Sequence, residues 1–146
     1  MGAFVRELPV RFPDVDFARV VYYPRFFDYC HQVFEDFFAA EVGVPYARML
    51  QERKVGYPSV HASADFTSPL RFGDLVRIEL STDAVGEKSI TCRYRLSTKG
   101  QPCAEVKIVN APVDMDTFKG VKVPDDVRAA FERFRRASSE PDHEKR

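Results

Sequence analysis

The sequence predicts an α+β fold in which one curved antiparallel sheet wraps around one long helix, with a second helix near the C-terminal end. Apolar residues recur at helical spacing from Pro24 to about Ala40, and the pattern then changes to alternation in four later segments. At 146 residues the chain has the size of one domain. A sheet that covers one strongly apolar helix is the simplest arrangement that buries both elements.

Composition and charge narrow the class of protein. The chain has 22 basic residues (lysine and arginine) and 22 acidic residues (aspartate and glutamate), so its formal net charge is zero. A dedicated nucleic-acid binder is therefore not predicted. No apolar run is long enough for a transmembrane helix, and the first residues lack the apolar stretch of a secretory signal. Cys30, Cys92 and Cys103 are widely spaced, which argues against a disulfide framework or a cysteine-built metal site. We expect a cytoplasmic protein with reduced thiols, a single domain over 1–137, and a disordered charged tail over 138–146.

The first two elements are a strand and the long helix. Residues 4–12 alternate loosely, which places Phe12 on the apolar face of the strand. Pro9 cannot donate a hydrogen bond to a neighbouring strand, so this strand belongs near an edge of the sheet. The helix begins at Pro24, because proline suits the first helical position, and it ends near Gly43.

The remaining elements are mostly strands. The alternating segments are 59–68, 75–82, 89–98 and 103–113. Turn signals such as Gly73 separate them, and four consecutive strands with short turns predict an antiparallel meander. A short helix is expected within 46–56, and a final helix from Pro124 to about Arg136. Such a sheet leaves one face and at least one edge exposed, which favours oligomerisation.

The loop that enters the long helix is the most informative segment for function. It contains Asp14 and Asp16, two residues apart. The backbone N–H groups at a helix N-terminus lack partners and can bind an oxyanion. Such donors can polarise a carbonyl group while a nearby carboxylate attacks it or activates water, as in a hydrolytic site. The two aspartates alone are also typical of turn residues that cap their own backbone, so this pattern leaves both interpretations open.

The wider pattern at 14–28, D-x-D-x-A-x-V-V-Y-Y-P-R-F-F-D, resembles the signature of the 4-hydroxybenzoyl-CoA thioesterase family of hotdog-fold acyl-CoA thioesterases. The resemblance covers roughly 7–135, and includes the R-F-G-D turn at 71–74 and the V-P-D-D-V-R segment at 123–128. It implies the hotdog fold and the hydrolysis of an acyl-CoA thioester to a free acid and CoA.

The resemblance also implies roles for individual residues. Asp16 matches the catalytic carboxylate, as nucleophile or general base, and the backbone N–H of Tyr23 matches the group that polarises the thioester carbonyl. Tyr22, Pro24 and His61 are candidate substrate contacts. The resemblance implies no metal or prosthetic group, and it implies a homodimer or a dimer-of-dimers tetramer with sites at subunit interfaces. The aromatic residues of the helix are compatible with an aromatic acyl group.

Arg19 departs from the family pattern, which usually has a small residue, often glycine, at this position. Glycine would permit a positive φ and a close approach of the thioester. Arg19 could instead pair with a substrate carboxylate or a CoA phosphate, or it could mark a chain that has lost activity. The alternatives to an acyl-CoA thioesterase are therefore a non-catalytic acyl-CoA-binding hotdog protein and a thioesterase that acts on a carrier-protein thioester.

Overall fold

The computed structural model describes residues 2–136 and contains one five-stranded antiparallel sheet. The strands are β1 (Phe4–Pro9), β2 (Val55–Gly56), β3 (Ser59–Phe66), β4 (Leu75–Val85), β5 (Ile90–Thr98), β6 (Gln101–Asn110) and β7 (Val113–Asp114). The large sheet has the order β1-β4-β5-β6-β3, and β2 and β7 form a separate two-stranded ladder. The predicted α+β class is confirmed.

Three α-helices accompany the sheets: α1 (Pro24–Phe37), α2 (Tyr46–Gln51) and α3 (Asp125–Arg133). The helix α1 begins at Pro24, as predicted, and continues into one π-helical turn, Phe38–Val42. It ends at Gly43, whose φ of 84° suits a residue without a side chain. Pro124 precedes α3, close to the predicted start of the last helix.

The core lies between the large sheet, α1 and α3. Val76, Ile78 and Leu80 alternate along β4 and are fully buried. Phe37 of α1 stacks on Phe131 of α3, with ring centroids 4.2 Å apart, and both rings are fully buried. The aromatic face of α1 therefore serves the core, as its helical spacing predicts.

The path from β3 to β4 shows that the predicted four-strand meander is wrong. β4, β5 and β6 form a meander, but β3 pairs with β6, and β4 pairs with β1. Residues 67–74 therefore cross from the far edge of the sheet to β4, and Gly73 lies in this crossover rather than in a hairpin. The buried Leu70 anchors the crossover, and its carbonyl accepts a hydrogen bond from the Val21 N–H at 2.8 Å. Because Val21 precedes α1, the crossover also holds the loop that leads into this helix.

The predicted place of Phe12 in the first strand is wrong, and two apolar residues of β3 are exposed. The strand β1 ends at Pro9, and Phe12 begins a short 3-10 turn, which leaves its ring 73% exposed. In β3, Val60 and Phe66 are exposed, because this strand lies at an edge of the sheet and its pairing shifts at Val60. The edge position that Pro9 predicts for β1 is confirmed.

Among residues 2–136, no helix is both long enough and apolar enough to cross a membrane. The predicted disorder of 138–146 concerns residues outside the described part of the chain.

Candidate active site

The loop between β1 and α1 forms a small closed structure. An antiparallel bridge joins Val15 to Val21. Inside it, the Asp16 N–H donates to the Val20 carbonyl at 3.0 Å, and the Arg19 N–H donates to the Asp16 carbonyl at 2.9 Å. The backbone bonds hold Asp16 and Arg19 at the exposed tip of this loop.

Asp14 is the structural member of the carboxylate pair. It is buried, and its Oδ2 accepts hydrogen bonds from the Arg11 N–H at 2.9 Å and the Tyr29 hydroxyl at 2.8 Å. Arg25 Nε lies 3.9 Å from Oδ1. Burial and the contact with Asp14 raise the pKa of Tyr29 well above its usual value, so its hydroxyl stays a donor. Since Tyr29 and Arg25 belong to α1, Asp14 ties the loop to the helix.

Asp16 differs from Asp14 in being exposed. Its Oδ1 accepts a hydrogen bond from the Ala18 N–H at 2.8 Å, which is the usual contact of an aspartate in a turn. Within residues 2–136, no further hydrogen bond or ion pair reaches this carboxylate. One oxygen therefore stabilises the turn, and the other is open to water or to a ligand.

The start of α1 leaves one backbone donor uncommitted. The Tyr22 N–H donates to the Asp14 carbonyl, and the Arg25 N–H donates to the Tyr22 carbonyl. Pro24 has no N–H. The Tyr23 N–H donates to no acceptor in the described part of the chain. This donor lies at the positive end of the helix dipole, where it can stabilise negative charge.

An apolar cavity of about 320 Å³ opens beside the loop. Val20 and Tyr23 line it from the loop, and Phe66 and Pro69 line it from the end of β3 and the crossover. The Phe66 ring centroid lies 5.0 Å from that of Phe26 and 6.4 Å from that of Tyr23. Phe66 was not among the predicted site residues, although a bulky ring at the end of an alternating segment was an available signal. The arrangement can accommodate an aromatic group.

A larger concave surface, of about 920 Å³, lies on the face of the sheet away from α1. Two ion pairs lie on it: Arg77 Nε is 3.1 Å from Glu79, and Arg95 Nε is 3.5 Å from Glu105. Since the Asp16 loop combines an open carboxylate with a free backbone donor, we place the candidate site at the loop.

Arg19 adopts the left-handed conformation, with a φ of 71°. This conformation costs a residue other than glycine about 1–2 kcal/mol. The side chain is exposed, and its guanidinium group makes no hydrogen bond or ion pair with any of the residues that the structure describes. Arg19 therefore takes the backbone conformation that glycine favours and carries an unpaired positive charge.

The other predicted contacts fall into two groups. Tyr22 is half exposed beside Tyr23, with ring centroids 5.5 Å apart, and Pro24 is the first residue of α1. His61 is exposed on the edge strand β3, and no hydrogen bond or ring contact among 2–136 joins it to the loop. The structure thus brings Tyr22, Tyr23 and Pro24 together near Asp16, but it does not bring His61 there within one chain.

No group of three or more His, Cys, Asp or Glu side chains in the described residues could hold a metal ion. Cys30, Cys92 and Cys103 are buried free thiols. Burial raises the pKa of the Cys30 and Cys92 thiols.

The fold defines the class of protein. A long helix packed against a five-stranded antiparallel sheet in the order β1-β4-β5-β6-β3 is the hotdog fold. The chain matches the Thioesterase-like superfamily over residues 10–131 and belongs to that superfamily.

Comparison with known proteins supports this membership. The 1,4-dihydroxy-2-naphthoyl-CoA hydrolase of Synechococcus elongatus is 32% identical over 126 residues, which are 86% of this chain and 92% of the relative. The structure of a 1,4-dihydroxy-2-naphthoyl-CoA thioesterase from Synechocystis has a TM-score of 0.81 at 26% identity, covering 89% of this chain and 96% of that one. A gentisyl-coenzyme A thioesterase structure has a TM-score of 0.80 at 28% identity, covering 88% and 99% of the two chains. All three of these relatives are named as hydrolases or thioesterases of CoA esters.

Proposed function

We propose that this chain is an acyl-CoA thioesterase of the 4-hydroxybenzoyl-CoA thioesterase family, which hydrolyses an aromatic acyl-CoA to a free acid and CoA. One observation carries the proposal: a short loop holds an Asp16 oxygen and a Tyr23 N–H, neither of which has a hydrogen-bond partner among residues 2–136. The names of the relatives, which refer to dihydroxynaphthoyl-CoA and gentisyl-CoA, support an aromatic acyl group. The ring-lined cavity beside the loop supports the same substrate class.

In the proposed reaction, the Tyr23 N–H donates to the thioester carbonyl oxygen and stabilises the negative charge that develops there. In the nucleophilic route, Asp16 attacks the carbonyl carbon, the C–S bond breaks and CoA leaves as a thiolate. Water then hydrolyses the mixed anhydride and regenerates the carboxylate. In the general-base route, Asp16 takes a proton from the water that attacks the same carbon. Both routes consume one water and yield the acid and CoA.

Four further residues are proposed as substrate contacts. Tyr22 and Pro24 flank the Tyr23 donor along the chain. The unpaired guanidinium group of Arg19 can pair with a substrate carboxylate or a CoA phosphate. His61 contributes only when another subunit brings its β3 strand to the loop, because no hydrogen bond or ring contact within residues 2–136 joins it to the loop of its own chain.

We propose that the chain forms a homodimer or a dimer-of-dimers tetramer. Among the described strands β3 pairs only with β6, and most of its side chains are exposed. An unpaired edge of this kind favours strand pairing with another subunit. The three free thiols suit a cytoplasmic location. The zero net charge gives no support for a nucleic-acid partner.

The proposal is tested by measuring thiol release from a panel of aryl, short-chain and long-chain acyl-CoAs. We expect the wild type to hydrolyse at least one aryl ester and Asp16→Ala to lose about a hundredfold or more in kcat. Asp116→Ala is the matched control, because Asp116 is an exposed aspartate in the turn after β7 and should retain activity.

Each other outcome contradicts part of the proposal. Equal activity of the wild type and Asp16→Ala would show that the catalytic group lies elsewhere. A wild type that binds acyl-CoA without turnover would support the non-catalytic alternative, in which Arg19 has replaced a glycine of the family pattern. Hydrolysis of carrier-protein thioesters alone would support the other alternative.

A further inference from the structure

Two exposed phenylalanine rings lie beside the candidate site. Phe12 is 73% exposed and Phe72 is 61% exposed, and their ring centroids are 5.7 Å apart in an edge-to-face arrangement. We call this pair the Phe12–Phe72 platform. Large apolar side chains that expose most of their area next to each other mark a binding surface more often than isolated exposed rings do.

The backbone holds the platform in place. The Val10 N–H donates to the Asp74 carbonyl at 2.8 Å, and the Gly73 N–H donates to the Val10 carbonyl at 3.3 Å. These bonds join the segment after β1 to the turn of the β3–β4 crossover. The two rings therefore stand on two short segments that are hydrogen-bonded to each other.

An arginine precedes each ring of the platform. Among the arginines within residues 2–136, the guanidinium groups of Arg11, Arg19 and Arg71 make no hydrogen bond and no ion pair. The other described arginines each make at least one such contact. The three unpaired guanidinium groups thus belong to the Asp16 loop and to the segments that carry the platform.

The acidic side chains nearest in sequence are already engaged. Asp14 is buried, and it accepts hydrogen bonds from the Tyr29 hydroxyl and the Arg11 backbone. Asp74 accepts a hydrogen bond from the Arg71 N–H and lies 3.8 Å from Lys99 Nζ. The surroundings of the platform therefore favour a ligand that combines an aromatic ring with negative charge.

We propose that the Phe12–Phe72 platform, with Arg11 and Arg71, binds the adenosine 3′-phosphate 5′-diphosphate end of CoA. A purine ring can stack against phenylalanine, and guanidinium groups pair strongly with phosphates. Phe12 precedes Asp16 by four residues, so their Cα atoms lie within about 14 Å of each other, which the flexible pantetheine arm can span. This assignment rests on the proposed acyl-CoA substrate. A second copy of the chain fits the surface less well, because a symmetric contact would bring unpaired positive charges together.

The test compares one acyl group on two carriers, CoA and pantetheine, which lacks the nucleotide. We expect Phe72→Ala to lower the ratio of the kcat/KM values for the CoA ester and the pantetheine ester by about tenfold. The double variant Arg11→Gln, Arg71→Gln should lower the same ratio and make kcat/KM for the CoA ester less sensitive to salt. Phe118→Ala and Arg48→Ala are the matched controls, because they remove an exposed ring and an exposed arginine elsewhere and should leave the ratio unchanged.

Calorimetric titration with CoA itself separates this inference from the proposed activity, because it needs no turnover. Weaker CoA binding by the platform variants, with the controls unchanged, supports the inference even where no ester is hydrolysed. Wild-type-like CoA binding by these variants overturns it, and so does an equal loss with both esters. Light scattering measures the molar mass of Phe72→Ala. If this mass changes while CoA binding does not, the platform belongs to a subunit contact instead.

Discussion

Replacing Arg19 with glycine should make the protein more stable and less active. Arg19 has a φ of 71°, and its guanidinium group makes no hydrogen bond or ion pair within residues 2–136. The side chain therefore contributes no hydrogen bond or ion pair to offset its backbone conformation. If the same side chain meets an anionic group of the substrate, its removal should affect stability and activity in opposite directions.

The size of each effect follows from the structure. Glycine relieves a left-handed conformation that costs about 1–2 kcal/mol. The greater conformational freedom of glycine in the unfolded chain lowers the free energy of unfolding by about 0.5–1 kcal/mol. We expect a net gain of about 0.5–1 kcal/mol in the free energy of unfolding, and a rise in Tm of roughly 3 °C for a chain of this size. Loss of a charge-assisted contact worth about 1.4 kcal/mol should lower kcat/KM about tenfold.

Thermal unfolding and thiol release measure the two effects on the same sample. Lys54→Gly is the matched control, because Lys54 also has a positive φ, of 60°, and lies between α2 and β2. Its ion pair with Asp116, at 3.9 Å, is exposed on both sides, so high salt removes most of that contribution. The control should gain similar stability at high salt and keep its activity.

Two results would refute this reasoning. A less stable Arg19→Gly would mean that the arginine side chain holds the loop together. A more stable variant with unchanged kcat/KM toward every ester would mean that the guanidinium group does not meet the substrate.

Two further predictions concern the scaffold. Phe131→Ala should lower the free energy of unfolding, measured by urea denaturation, by about 3–5 kcal/mol, because it removes the fully buried ring that stacks on Phe37. A loss below about 1 kcal/mol would contradict the assigned core. Burial opposes ionisation of Asp83, but the hydrogen bonds and charges of Arg93 and Arg136 prevail and hold its pKa below the usual value. Asp83→Asn should therefore cost about 1–3 kcal/mol at neutral pH. A carboxylate with a lowered folded-state pKa stabilises the fold above its unfolded-state pKa, and this stabilisation is lost as the pH falls through the folded-state pKa. The difference in unfolding free energy between Asp83→Asn and the wild type should therefore disappear in acid. A difference that persists in acid would contradict the assigned role of Asp83.

Elements with a complete local pattern were predictable from the sequence. The helix α1 has a proline at its start, a left-handed glycine at its end and one apolar face, so its position needed no knowledge of the rest of the chain. The buried positions of β4 also follow from strict alternation. The loop was predictable in part, because Asp16 and Tyr23 lie seven residues apart at the entrance of the same helix.

The remaining features depend on pairing between distant segments. Alternation does not reveal which strand lies beside which, so it could not show that β3 pairs with β6. The position of Phe66 in the lining of the cavity depends on that pairing, and so does the hydrogen bond between the Leu70 carbonyl and the Val21 N–H. The exposure of Phe12 was missed because β1 ends three residues before it.

The crossover at 67–74 has a consequence for the order in which the protein folds. β4, β5 and β6 are joined by short turns and can pair early, whereas β1 and β3 pair with strands far away along the chain. Distant pairing is slow, because the entropy of closing a long loop is lost before the contacts form. The loop before α1 depends on these late steps, since Val21 donates its N–H to Leu70 in the crossover. During refolding, we expect native sheet content to return first and thiol release only later, when both edge strands have joined the sheet.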